Sequence, residues 1–195
     1  MSGKANGKGL AKGLGKSLGK AGGKGSDKSL PKAWGKGWSK ADAKNRPARQ
    51  TAAMPIRWDA EGRLRVLMIT SRDTGRWVMP KGWLMNGRKP WHAAEIEAME
   101  EAGAVGAISD EPLGTYRYDK RMARGPSVPC EVTVYPMMVR KLKRRWKERA
   151  ERRRRWFSPR KAAMLVDEPG LSLLLEELVR DAGRRPDIRE MREAA

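Results

Sequence analysis

From Ile56 onward, short apolar runs alternate with turn-forming residues, the pattern of a sheet covered by helices. IRW at 56–58, a DAEG turn and LRVLMIT at 64–70 read as a hairpin, after which SRDTG leads into RWVMP at 76–80. The middle run is apolar almost throughout, as expected of a strand covered on both faces. LGTYRYDKRM and EVTVYPMMV, separated by ARGPSVP, predict two more strands that complete a mixed sheet. Ser158 followed by Pro159 is a good helix start and opens PRKAAMLV. Pro169 and Gly170 interrupt it, and LSLLLEELVRDAG then predicts a helix whose leucines pack against the sheet.

Between the first strands and the later ones lies the stretch PKGWLMNGRKPWHAAEIEAMEEAGAVG, residues 80–106. It places a Gly-rich turn before a short helix that starts at Pro90. Glu97, Glu100 and Glu101 then stand at i, i+3 and i+4 on one helix face. Three carboxylates on one turn repel one another, and a hard divalent cation between them removes that repulsion. Mg²⁺ is the first candidate and Mn²⁺ the alternative. Gly82 and Gly87 free the preceding loop to fold back towards such a site, and Gly103 ends the helix.

The spacing from Gly82 through Glu97, Glu100 and Glu101 to Gly103 resembles the Nudix box, G-x5-E-x7-R-E-U-x-E-E-x-G-U. Two positions depart from it: Arg88 stands at the loop glutamate and Ile96 at the arginine that precedes the first helix glutamate. The resemblance covers roughly residues 52–178 and implies an α/β/α sandwich with a mixed sheet. It also implies metal-dependent cleavage of a phosphoanhydride in an X-diphosphate substrate, with Glu97, Glu100 and Glu101 as metal-binding and catalytic residues. The family arginine acts behind the metal ligands by orienting a carboxylate, so its loss at Ile96 predicts activity lower by about 10–100-fold rather than loss of the metal. RWVMPKGW and WFSPRKAA are most similar to the diphosphoinositol and diadenosine polyphosphate hydrolase branch, which implies a highly phosphorylated substrate. Arg72 and Lys81, then Arg57 and Arg76, border the box and are the candidate phosphate-binding residues.

Charge changes the picture at two places. The chain carries a net +20 over 195 residues, which points to polyanionic partners. In residues 1–50, lysine occupies every fourth position from Lys4 to Lys44, and many of these lysines are followed two residues later by Leu10, Leu14, Leu18, Leu30, Trp34 or Trp38. So much glycine and so little apolar bulk predicts a disordered basic tail. With eleven lysines, Arg46 and Arg49 against Asp27 and Asp42, this tail holds a net +11. The second place is the run from Arg140 to Arg155, with eleven basic residues against Glu148 and Glu151. Both places are candidate surfaces for RNA or another polyanion: for the tail, RNA is preferred over lipid because the apolar residues are too sparse for membrane insertion, and Arg140–Arg155 is a surface for a phosphate-rich substrate or for RNA.

The expected organisation is a tail at 1–50, a catalytic domain at 51–182 and a charged, frayed end at 183–195. The single Cys130 excludes an intramolecular disulfide, predicts a structural role, and fits a reducing, cytoplasmic setting. His92 is read as a surface residue of the first helical turn. No run approaches the ~20 apolar residues of a membrane span. The alternative to an enzyme is a weakly active or inactive Nudix scaffold that binds polyanions, a reading that Arg88 and Ile96 favour.

Overall fold

A computed structural model describes residues 47–121 and 127–194; the lysine-repeat tail lies outside the described residues. The first strand, β1 (Ala48–Trp58), starts well before the IRW run and the expected boundary at residue 51. Its early part is recruited because it has partners on both sides. Residues 48–56 pair in parallel with 130–138 of β7 (Val128–Leu142), while residues 50–52 pair antiparallel with β4 (Lys81–Trp83). Lys81-Gly82-Trp83 is therefore a short strand, not the turn its glycine predicts. The later part of β1 turns through Asp59–Gly62 into β2 (Leu64–Thr70). Asp59 accepts from the backbone N–H of Arg63 and from the side chains of Arg63 and Arg65.

The remaining strands are β3 (Trp77–Val78), β5 (Ala104–Ile108), β6 (Gly114–Lys120) and β8 (Arg154–Phe157). β5 and β6 pair antiparallel with the two halves of β7, and β3 and β8 pair with β2. One parallel pair among antiparallel ones gives the expected mixed sheet.

Alternation along the strands builds two cores. Met54, Ile56, Val66, Met68, Val132 and Val134 face one side of the sheet. They meet α2 (Pro159–Ala163), α3 (Pro169–Asp181) and α4 (Pro186–Glu193). Ser158 caps α2 by accepting from the Lys161 N–H, and Leu171, Leu174, Leu175 and Leu178 form the buried stripe of α3 at helical spacing. Ala53, Leu67, Ile69, Tyr135 and Met137 face the other side, against α1 (Pro90–Glu97) and its continuation Ala98–Ala102. The result is the α/β/α sandwich, with β2 covered on both faces. Cys130 is buried in β7, where its thiol donates to Val128 O and burial pushes its pKa up to about 11, a structural position as expected.

The expected frayed end is corrected by α4. Pro186 starts this helix, and Ile188 and Met191, three residues apart on one face, are buried in the larger core. Arg140 also donates to Ala194 O at 3.1 Å. Ile188 is fully buried, so Ile188→Ala is expected to cost about 2–5 kcal/mol in urea unfolding. A loss below about 0.5 kcal/mol, the range of ordinary surface substitutions, would show that α4 is not part of the core.

Candidate active site

The helix that carries the glutamates lies close to the sheet because the residues facing it are small. Ala94, Ala98 and Ala102 recur every fourth position and are fully buried among Ala53, Leu67, Tyr135 and Met137. Pro90 occupies the first helical position, and its carbonyl accepts from Thr51 Oγ1 at 3.0 Å, tying the helix start to β1. The helix ends at Gly103, in the left-handed region at φ 63°, as its position predicts. His92, at the start of this helix, is exposed, with its ring edge-on to Trp91.

The three glutamates of the expected site share the helix but do not converge on one point in this structure. Residues 98–102 form a π turn, in which the Gly103 N–H reaches Ala98 O as well as Met99 O. This wider turn changes the angular relation of Glu100 to Glu97, and π turns of this kind recur at functional sites. Glu97 and Glu101 are buried, at 1% and 5% exposure, whereas Glu100 reaches outward and pairs with Lys147 Nζ at 2.7 Å. Glu101 Oε2 accepts from the Lys81 backbone N–H at 3.0 Å, and Oε1 accepts from Arg152 Nη2 at 2.6 Å. Among the described residues, no three carboxylate, imidazole or thiol side chains converge on a common ion.

The donor chemistry nonetheless fits a hard cation. Glu97 lies directly against Gly82, where an added Cβ would overlap its carboxylate. Gly82 is thus required for close approach rather than for a special φ. Gly87, in the loop, has φ 71° and open space around it.

A cavity of about 740 Å³ opens beside Lys81 of β4 and the end of β6; Glu97, Glu100 and Glu101 are not among its lining residues. Lys81 and Arg76 line it, as do Arg117, Tyr118, Lys120 and Arg121 at the end of β6. Desolvation lowers the pKa of the Lys81 ammonium, with Glu101 pulling the other way. The ammonium also lies 5.6 Å from the Tyr118 ring centre. Arg76 divides its guanidinium between Asp167, at 3.2 Å, and the buried Glu168, at 2.8 Å.

Arg72 and Arg57 do not line this cavity. Arg72 is engaged by Glu151 and Glu148, and Arg57 stacks over Trp156. The β6 residues missed by the sequence reading carried a signal: in GTYRYDK, strand alternation puts Lys120 on the same side as Tyr116 and Tyr118.

Comparison with known proteins fits this geometry. The NUDIX domain family matches residues 48–178. The chain belongs to that family. Nudix hydrolase 13, mitochondrial, of Arabidopsis thaliana is 32% identical over 130 residues, which is 63% of this chain and 63% of that protein. The chain therefore spans less than two thirds of this relative's length. Two solved structures share the Nudix fold. A C. elegans Ap4A hydrolase binary complex superposes with TM-score 0.55 at 19% identity, over 70% of this chain and 98% of that one. The NUDIX domain of Shewanella oneidensis NrtR complexed with ADP ribose superposes with TM-score 0.51 at 16% identity, over 73% and 99%.

Within this Nudix domain, the contact between Gly82 and Glu97 makes a specific demand. Gly82→Ala is expected to destabilise by about 1–3 kcal/mol through overpacking. In a Glu97→Ala background, where the obstructing carboxylate is gone, the same substitution should cost close to nothing. Chemical unfolding of the four proteins measures both. Equal costs in the two backgrounds would show that Glu97 is not what excludes a side chain at residue 82.

Proposed function

We propose that this chain hydrolyses a phosphoanhydride bond in an X-diphosphate substrate, with Mg²⁺ as cofactor and Mn²⁺ as its alternative. The observation that carries the reading is that one short segment, Lys81-Gly82, joins both halves of such a site. Its backbone N–H holds the buried Glu101, its glycine makes room for the buried Glu97, and the Lys81 side chain enters the cationic cavity. Glu97, Glu100 and Glu101 would hold the cation, which when bound supplies charge neutralisation on the diphosphate and an activated water. Lys81 and Arg76 meet phosphate oxygens, and one of the glutamates takes the proton from the attacking water.

The preferred substrate is a highly phosphorylated one, a reading supported by the resemblance of RWVMPKGW and WFSPRKAA to the diphosphoinositol and diadenosine polyphosphate hydrolase branch; the cavity supplies Arg76, Lys81, Arg117, Lys120 and Arg121 to meet phosphate oxygens. Asp73, Asp119, Asp167 and Glu168 are interleaved with these cations. Carboxylates favour a ligand that also has hydrogen-bond donors, as a diadenosine polyphosphate does; a diphosphoinositol polyphosphate is second on its phosphate charge, and ADP-ribose, which has such donors but only a single diphosphate, is third. Of the structural neighbours, one is a C. elegans Ap4A hydrolase and another is complexed with ADP ribose, so both ligands belong in the substrate panel. We place the chain in a reducing, cytoplasmic setting on its having a single cysteine among 195 residues.

A second reading has specific support: Arg88 and Ile96 depart from the box, and Glu100 and Glu101 carry Lys147 and Arg152 as counter-charges. It makes the chain a weakly active or inactive scaffold that binds RNA or another polyanion through its lysine repeat and the exposed part of Arg140–Arg155. Turnover separates the two. Full-length protein with Mg²⁺ is expected to cleave diadenosine polyphosphates in a panel containing diphosphoinositols and ADP-ribose. Glu100→Gln and Glu101→Gln should each lower kcat by about 10²–10³-fold, the range for removing one group that stabilises the transition state. Unchanged kcat in both variants would remove these residues from the site, and no turnover on any panel member would favour the scaffold.

A further inference from the structure

The arginine that the box pattern places before Glu97 is absent, yet an arginine reaches the same helix from another part of the chain. Arg152 lies 51 residues beyond Glu101 and is only 7% exposed. It donates through Nη2 to Glu101 Oε1 at 2.6 Å, through Nε to Glu148 Oε2 at 2.6 Å, and through Nη1 to Thr70 O at 2.9 Å. All three nitrogens of the guanidinium fork are engaged, so the group has one orientation.

Its segment is held as firmly as its side chain. The Glu148 N–H donates to Glu100 O, and the Arg153 N–H donates to Thr70 Oγ1. Thr70 N–H returns a bond to Arg153 O at 2.9 Å. Glu101 therefore receives one donor from the basic run and one from Lys81, on different oxygens, while lone pairs on both oxygens remain for a further ligand.

We propose that Arg152 is the positioning residue of this site. It fixes Glu101 for cation binding, an orienting role supplied from the basic run in a box whose own arginine is replaced by Ile96. The inference rests on the hydrolase reading but is tested separately from it. The plain alternative is that Arg152 is only a counter-ion for two buried carboxylates. A counter-ion sets stability, whereas a positioning residue also sets cation affinity and kcat in the molecules that are folded.

The test is Mn²⁺ binding to the full chain by calorimetry, without substrate, followed by kcat and KM on the panel. Arg152→Lys keeps the charge but loses the fork, and Arg152→Gln loses both. Ile188→Ala, far from the glutamates in the other core, controls for lost stability. Arg152→Lys is expected to weaken Mn²⁺ binding by about 10–100-fold and lower kcat by a similar factor, with KM unchanged. Ile188→Ala should leave Mn²⁺ affinity as in the parent. Should Arg152→Gln fail to fold, Arg152→Lys alone decides.

Variants that bind Mn²⁺ as tightly as the parent overturn the proposal, and tighter binding would make Arg152 a competitor for Glu101. A parent that binds no Mn²⁺ overturns it as well. A parent that binds Mn²⁺ but cleaves no panel member defeats the hydrolase reading, and the comparison of Mn²⁺ affinities still decides the role of Arg152.

Discussion

The constraint on which this structure depends is the burial of two carboxylates, Glu97 and Glu101, on the sheet-facing side of one helix. An ionised carboxylate leaves water at a cost of several kcal/mol unless it is paired and hydrogen-bonded. Much of the surrounding architecture answers that demand. β4 supplies the Lys81 N–H to Glu101, the absence of a side chain at Gly82 leaves room for Glu97, and Arg152 arrives from the segment before β8. The alanine stripe of the helix does the rest by letting it settle close to β1, β2 and β7.

The same demand explains part of the charge of the basic run. Lys147 pairs with Glu100 and Arg152 with Glu101, while Arg154 donates to Ala102 O at the end of the helix and to Lys143 O just beyond β7, and stacks over Trp146. Cations at a helix C-terminus satisfy orphan carbonyls and oppose the helix dipole. These three residues belong to the architecture of the site. Exposed neighbours such as Arg144, Arg145 and Arg149 carry the remaining field outward. A run that reads as one polyanion surface thus has an inward-facing and an outward-facing part.

Much of this was legible in the chain. The pattern from Gly82 to Gly103 located the glutamate helix, Pro90 and Gly103 marked its ends, and apolar continuity in β2 announced a strand covered on both sides. What escaped has physical reasons. The π turn at 98–102 is invisible to a pattern that assumes a constant helical period. Arg152 is separated from Glu101 by a long stretch of chain and sits among ten other cations, so nothing local marks it as the buried one. Lys81–Trp83 becomes a strand because β1 starts early enough to pair with it, a long-range event. The α4 helix has a local signal in Pro186, Ile188 and Met191 at helical spacing, which the surrounding charges obscure.

We propose Glu97, Glu100 and Glu101, with Gly82 packed against Glu97, as the cation-dependent centre of this Nudix domain. Crystals of the protein grown with Mn²⁺ test it directly by anomalous scattering. The expected result is a single strong peak bounded by carboxylate oxygens of Glu97 and Glu101 and of a Glu100 turned inward from Lys147. A peak elsewhere on the domain, or none beside these glutamates at saturating Mn²⁺, would contradict it.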